Sequence, residues 1–365
     1  MSLVNRGILL QSLAQTIADY RYSEIPPMST RHVENWLNQF DTEDQPVILA
    51  EMDTLMMRFY FSRYRIKECL SSFLKNDVIG FENPTKVLSH TRFLQVQRQG
   101  NSQQALLVIM DEILASDYGI RLSSCGVDHV QVYVYIDDCL YTGSRIRYDL
   151  TQGDDAPAWI PKEAPPNCTL IVYNIGVHLF GMNYVDPLIR SAAREKGISV
   201  SRKYSMLIDN RRTATTELAF LWPEQIVDDQ AVHSYTTELV AFLTEKGWPT
   251  NSLFRPVAIP GEEMLFSSSH ARQVVERAFL KKGIQLATAG HQKAESIRPL
   301  GFEKIGSLDS APFSSHTEIS QIIVRWYYGG AILIYQQRIL WGDGTHYSLE
   351  VQTVYATNRV VIFLF

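Results

Sequence analysis

Between residues 30 and 77 the apolar side chains fall three times at the spacing of one helical face. Val33, Trp36, Leu37 and Phe40 follow Thr30, an N-cap residue type, and Ile48, Met52, Leu55, Met56 and Phe59 follow Pro46, which opens a second helix. Cys69, Leu70, Phe73 and Leu74 mark a third. Residues 1–77 therefore read as a helical domain. From about residue 85 the pattern becomes strand, loop, helix. VLSHTRFLQVQ (87–97) reads as a strand, RQGNS as a turn, QQALLVIMDEIL (103–114) as a helix and HVQVYVYI (129–136) as the next strand. NCTLIVYNIGVHLFG continues the alternation, followed by a helix through Pro187, Leu188, Ile189 and Ala192 and by strands at ISVSRKYSMLI and LAFLWP. TQGDDAPAWIPKEAPPN, with Gly153 and four prolines, reads as a surface connection. Ser267 to Ser269 cap a last helix carrying Val274, Val275, Ala278, Phe279 and Leu280. The fold class is α/β, divided as 1–77, 78–225 and a C-terminal extension, 226–306.

Composition narrows the partners. A chain of 365 residues is long enough for two or three domains. With 34 basic against 39 acidic residues the net charge is −5, which gives no global case for nucleic acid. Arg58, Arg63, Arg65 and Lys67 would suit a winged-helix nucleic-acid binder, although such a run is ordinarily a solvated face. Cys69, Cys125, Cys139 and Cys168 form no C-x-x-C pair, so reduced thiols and a cytoplasmic location are expected. No stretch approaches the roughly 20 apolar residues of a membrane helix, and the amphipathic start lacks an export signal.

The chemistry concentrates in VYVYIDDCLYTGSRIRYDL, residues 132–150. An apolar strand ends in Asp137 and Asp138, at the strand end where ligands of open α/β sheets bind. Two carboxylates accept hydrogen bonds from hydroxyls and match a vicinal diol such as that of ribose. Thr142, Gly143 and Ser144 then supply close backbone approach and hydroxyls, with a helix expected to begin at Ile146, which suits a phosphate. Diol acceptors beside a phosphate turn describe a ribose 5-phosphate site. His178 ends another strand but reads as a core or loop histidine, and His270 as part of a helix entry. No H-E-x-x-H, G-x-S-x-G or P-loop is present.

This run resembles the 5-phosphoribosyl-1-diphosphate (PRPP) motif of type I phosphoribosyltransferases. By that resemblance Asp137 and Asp138 would hold the ribose hydroxyls, and Tyr141, Thr142, Gly143 and Ser144 would line the 5-phosphate loop. Asp137, Asp138 and Tyr141 would be the catalytic set. Arg98, Gly100, Asn101, Ser102 and Gln103, in RQGNSQ, would form the pyrophosphate loop, with an ordinary polar turn as the other reading. Tyr141 stands where purine-salvage relatives often carry an acid, and Arg145 replaces a hydroxyl residue that often closes the loop. Mg²⁺ would be held mainly by substrate oxygens, with Asp137 and Asp138 contributing indirectly.

A closer resemblance rests on RHVENWLNQF, ILAEMDTLMMRFY, GNSQQ, YIDDCLYTGSR, FSSSHARQVVERAFL and RPLGF, which together look like the bacterial conflict-associated family PRTase-CE. It implies a type I phosphoribosyltransferase-like, Rossmann-like sheet core with an N-terminal winged-helix-like domain and a C-terminal α/β extension. It also implies an effector of bacterial defence, with a reverse transcriptase or another nucleoprotein as partner. The alternatives are a PRPP- or nucleotide-sensing module that does not catalyse, and a structural partner with a decayed site. After RPLGFEKIG the lysines stop and the pattern leaves the family, whose relatives continue with a block like YRNxPNNxPLxxWWGD. Another reading frame of the same codons permits such a block. A frameshift near residues 304–308 is therefore expected, and 307–365 would be out of frame.

Overall fold

The computed structural model describes residues 3–20, 27–97, 102–152, 157–209, 221, 223–226, 228–245, 254–255, 263–289, 322–327 and 331–336. The chain opens with helices α1 (Leu3–Thr16), α2 (Thr30–Leu37), α3 (Gln45–Phe59) and α4 (Arg63–Phe73). The cap of α2 is Ser29, one residue before the expected Thr30: its side chain accepts from the His32 N–H while His32 takes the Ser29 N–H. Pro46 sits in the first turn of α3, as expected. Ser62 caps α4, which runs on into a π-helical segment, Leu74–Ile79.

Asn83 and Pro84 then start α5 (Pro84–Ser89), so the expected strand at 87–97 shrinks to β1 (Thr91–Phe93). Cap and proline together outweigh the strand-like side chains of Val87 and Leu88. Among the described residues no strand lies before β1, and the winged-helix reading is not confirmed. Three of the four basic residues are engaged within the chain near its surface. Arg58 donates to the Met264 carbonyl (2.9 Å), Arg65 donates to the Arg58 carbonyl (3.0 Å) and lies over Phe61, and Arg63 pairs with Glu112.

Next come α6 (Ser102–Tyr118), β2 (Val132–Leu140), α7 (Ser144–Leu150), α8 (Trp159–Lys162), β3 (Thr169–His178), α9 (Leu179–Arg194) and β4 (Ser199–Ile208). The four strands are parallel in the order β1-β2-β3-β4. β2 runs four residues past its expected end because its ladder with β3 holds as far as Leu140 opposite Val177. Asp137 and Asp138 are thus inside the strand, near its carboxyl end. The connection at 151–167 is less of a surface loop than expected, since Trp159 and Ile160 are buried.

Alternation along β2 divides the core. Val134 and Ile136 face α4 and α6 through Phe73, Leu106 and Met110, with Phe73 stacked on Tyr173 at 4.1 Å. Tyr133 and Tyr135 face α7, α8 and α9 through Ile146, Trp159 and Val185. The helix after β1 and the helix after β2 therefore cover opposite faces of the sheet. The crevice between the carboxyl ends of β1 and β2 is a topological switch point, where open α/β sheets bind ligands.

Beyond β4, α10 (Gln230–Glu245) packs on α11 (Ser269–Ala289) through Val232, Leu280 and Ile284. Ser268 caps α11, its hydroxyl accepting from the Ala271 N–H at 3.1 Å. α11 returns to the N-terminal helices, where Val275 and Phe279 join Trp36, Leu37, Ile48 and Met52 in one core. Phe40 and Phe279 meet edge to face at 5.0 Å, and Glu51 on α3 accepts from the Ser267 N–H at 3.0 Å. Of the expected strand LAFLWP, residues 218–220 and 222 lie outside the described residues. Leu221 is buried, and Glu224 makes an isolated bridge with Arg255. β5 (Ile322–Tyr327) and β6 (Ala331–Gln336) pair antiparallel within the stretch expected to be out of frame.

Candidate functional site

Strand register places Asp137 opposite Asn174 of β3, four residues before the turn into α7. Asp137 is 3 % exposed, and four donors reach its carboxylate. Oδ1 takes the Ser102 hydroxyl at 2.7 Å and the Asp138 N–H at 3.0 Å. Oδ2 lies 3.0 Å from Gln97 Nε2 and 3.1 Å from the Tyr135 hydroxyl. Both of these donors also reach a third acid, Asp149 on α7, at 3.0 and 2.8 Å. Asp149 is fully buried. Burial lifts its pKa from 3.8 to about 6, against the lowering pull of Tyr135, Arg145 and Gln97 and with a further push from Asp137. Arg145 faces it at 3.6 Å and is itself 40 % exposed.

Asp138 is in a different position. One oxygen accepts the Cys139 N–H at 2.6 Å, while Oδ2 is buried with no hydrogen-bond partner. Burial first, and the neighbouring Asp137 charge second, hold its carboxyl well above the usual range, opposed by the Cys139 N–H and Ser102. A buried acceptor of this kind invites explanation by a ligand.

The turn at 141–144 is shaped by glycine. Gly143 has φ 79°, and a Cβ there would come within 2.7 Å of Val185 Cβ and 3.0 Å of the Gly181 carbonyl. Gly181 is just as constrained, since a Cβ on it would meet the Tyr141 carbonyl oxygen. α9 thus presses against the turn and holds it. Thr142 Oγ1 bonds Ser144 Oγ at 3.0 Å, and α7 begins at Ser144, two residues earlier than expected. The Tyr141 ring lies 5.0 Å from His178, which is buried at the end of β3.

Asp137, Asp138, Ser102 and Gln103 therefore meet at the carboxyl ends of β1 and β2, with Tyr141, Thr142, Gly143, Ser144 and Arg145 in the turn just beyond. Arg98, Gly100 and Asn101 lie outside the described residues. Gln103 is turned inward: Oε1 accepts from the Val96 and Gln97 N–H groups and Nε2 donates to the Ile136 carbonyl, so it staples the start of α6 to β1 and β2. Sequence reasoning missed Gln97, Tyr135 and Asp149. Their only signal was polarity at positions whose spacing called for apolar side chains. A cavity of about 430 Å³ along the outer edge of β1 is lined by Arg92, Tyr133, Trp159 and Glu163 but contains none of the three acids. Among the described residues no cluster of three metal-type ligands forms, and no helix is long and apolar enough to cross a membrane.

A family model described as PRTase-CE matches residues 33–316, and the chain belongs to that phosphoribosyltransferase-like family. No curated protein and no solved structure matches it.

Proposed function

We propose that this protein binds PRPP, or a closely related ribose phosphate, at the carboxyl end of β2 and transfers its phosphoribosyl group to an acceptor. The carrying observation is the juxtaposition of the Asp137–Asp138 pair, with its unpartnered buried oxygen, and the Gly143 turn, both at the switch point of the sheet. The acids supply acceptors for a diol, and the turn supplies hydroxyls and backbone approach for a phosphate.

Breaking the C1–O bond sends its electron pair to the diphosphate and leaves positive charge on the sugar. The share of this chain is mainly positional: an acid of the Asp137–Asp138 pair fixes the ring, Thr142 to Ser144 fix the 5-phosphate, and Gln97, Ser102 and Gln103 set the start of α6 beside the leaving group. Magnesium, when bound with the diphosphate, would supply charge neutralisation. Two adjacent carboxylates suit an ion that arrives with substrate oxygens rather than a resident one. A role in bacterial defence, in the cytoplasm and beside a nucleoprotein such as a reverse transcriptase, belongs to the same proposal and is supported by family membership alone.

Calorimetry of the full chain with PRPP and Mg²⁺ tests the binding step, and diphosphate release across a panel of acceptors tests turnover. Saturable heat with release is the expected result. Binding without consumption would make the protein a PRPP sensor, and no heat from folded protein would end the proposal. The same assays on a chain continued in the alternative reading frame after residue 306 test whether the segment 307–365 is native.

A further inference from the structure

We infer that Asp138 alone grips the sugar hydroxyls and that Asp137 is a positioning residue, fastening the start of α6 and the end of β1 to β2 and α7. The inference rests on the ribose-phosphate reading above. An ionised carboxylate offers about four acceptor positions. At Asp137 the Ser102 hydroxyl, the Asp138 N–H and the Gln97 amide take three of them, and Tyr135 shares its proton between Asp137 and Asp149 for the fourth. A sugar hydroxyl reaching Asp137 would have to displace a donor that the fold supplies. Asp138 needs no such exchange, because its Oδ2 is already desolvated and unpartnered.

The partners of Asp137 explain its own task. Ser102 is the first residue of α6, Gln97 lies in the segment after β1, and Asp149 belongs to α7. One carboxylate thus ties two flanks of the β1–α6 connection to the strand that carries Asp138.

A ligand series separates the roles. Calorimetry with ribose 5-phosphate, 2-deoxyribose 5-phosphate and 3-deoxyribose 5-phosphate on the full chain measures how strongly each hydroxyl is recognised. The native protein should prefer the ribose form over at least one deoxy form by about tenfold, the usual worth of one such hydrogen bond. Asp138→Asn should erase that preference. Asp137→Asn should weaken all three ligands together and lower thermal stability while keeping the preference, an outcome that a sugar-binding role could not give. Should Asp137→Asn not fold, the double substitution Gln97→Ala with Ser102→Ala serves instead. It frees the Asp137 carboxylate and should leave the preference unchanged, whereas a gain in preference would mark Asp137 as a sugar ligand. Loss of preference in Asp137→Asn, or its survival in Asp138→Asn, overturns the inference while the ribose-phosphate reading stands. Failure of folded native protein to bind ribose 5-phosphate removes the reading itself.

Discussion

The molecule buries two clusters of charge, and they are built on opposite principles. On α11, Arg272 is 1 % exposed and bonds Glu263 at 2.5 and 2.9 Å and Glu276 at 2.6 Å, while Arg255 pairs with Glu224 at 2.8 Å and reaches Glu276 at 3.6 Å. Burial opposes the Arg272 charge, yet its bonds to Glu263 and the Glu276 charge carry its pKa upward. Three acids there face two bases. At the end of β2 three acids, Asp137, Asp138 and Asp149, have one base among the described residues, the half-exposed Arg145. Neutral donors hold them, and burial pushes the carboxyls of Asp138 and Asp149 upward. A balanced cluster works as a strut, whereas an acid-rich one keeps a standing cost that a ligand can relieve.

The sharpest way to break this contrast is to remove the compensation on α11. Arg272→Met leaves Glu263 and Glu276 buried without their main partner and should cost about 3–5 kcal/mol in urea unfolding. Asp138→Asn, which removes a buried carboxyl whose Oδ2 has no hydrogen-bond partner, should leave stability unchanged or raise it. Equal losses in the two variants would show that the clusters are not different in kind.

Much of the second cluster was legible and part was not, for a physical reason. Asp137, Asp138 and the Thr142–Ser144 turn announce themselves because strand alternation and turn chemistry are local. Gln97, Tyr135 and Asp149 converge from three segments, and no spacing along the chain encodes that meeting. Gly181 is required by the close approach of α9 to Tyr141, again a tertiary fact. The end of β2 was misplaced because paired acids resemble a strand stop. The ladder with β3 carries on past them, from Asp137 opposite Asn174 to Leu140 opposite Val177. The α11 cluster went unread, since nothing in the sequence pairs Arg272 with Glu263 rather than with solvent.

A pH series sharpens the contrast further. Asp149 rises from 3.8 to about 6 on folding, so between those values the folded protein keeps a proton that the unfolded chain gives up. That contribution is fully present below the unfolded pKa and is lost as pH climbs through the folded one. In Asp149→Asn the decline is absent, so stability relative to the native protein should improve by about 2–3 kcal/mol between about pH 4 and pH 7. Denaturation midpoints measured across that range check it, and a flat difference would remove Asp149 from the uncompensated set.

Gly143→Ala tests whether the turn beside the acids is held for a ligand. A left-handed backbone with a Cβ costs about 1–2 kcal/mol, to which the contact with Val185 adds. Unfolding should show that loss, and ribose 5-phosphate affinity should fall by more than the stability change accounts for. The α11 cluster should be untouched: Arg272→Met in the Gly143→Ala background should add its full cost, as distant sites do.

The smallest expected effect addresses how neutral donors substitute for bases. Tyr135 carries one hydroxyl proton between Asp137 and Asp149, so Tyr135→Phe removes a donor from two acids without altering the apolar contacts of the ring. The loss should be about 1 kcal/mol, the net worth of one buried hydrogen bond. Its direction with pH is the informative part. Without that bond, which pulls its pKa down, Asp149 should titrate higher still, and the stability decline should extend to higher pH than in the native protein. In the Asp149→Asn background the pH-dependent part should vanish and only the smaller, pH-independent loss at Asp137 should remain. If Tyr135→Phe is instead pH-independent in both backgrounds, the hydroxyl is only packing beside the acids, and the cluster is held by Gln97 and Ser102 alone.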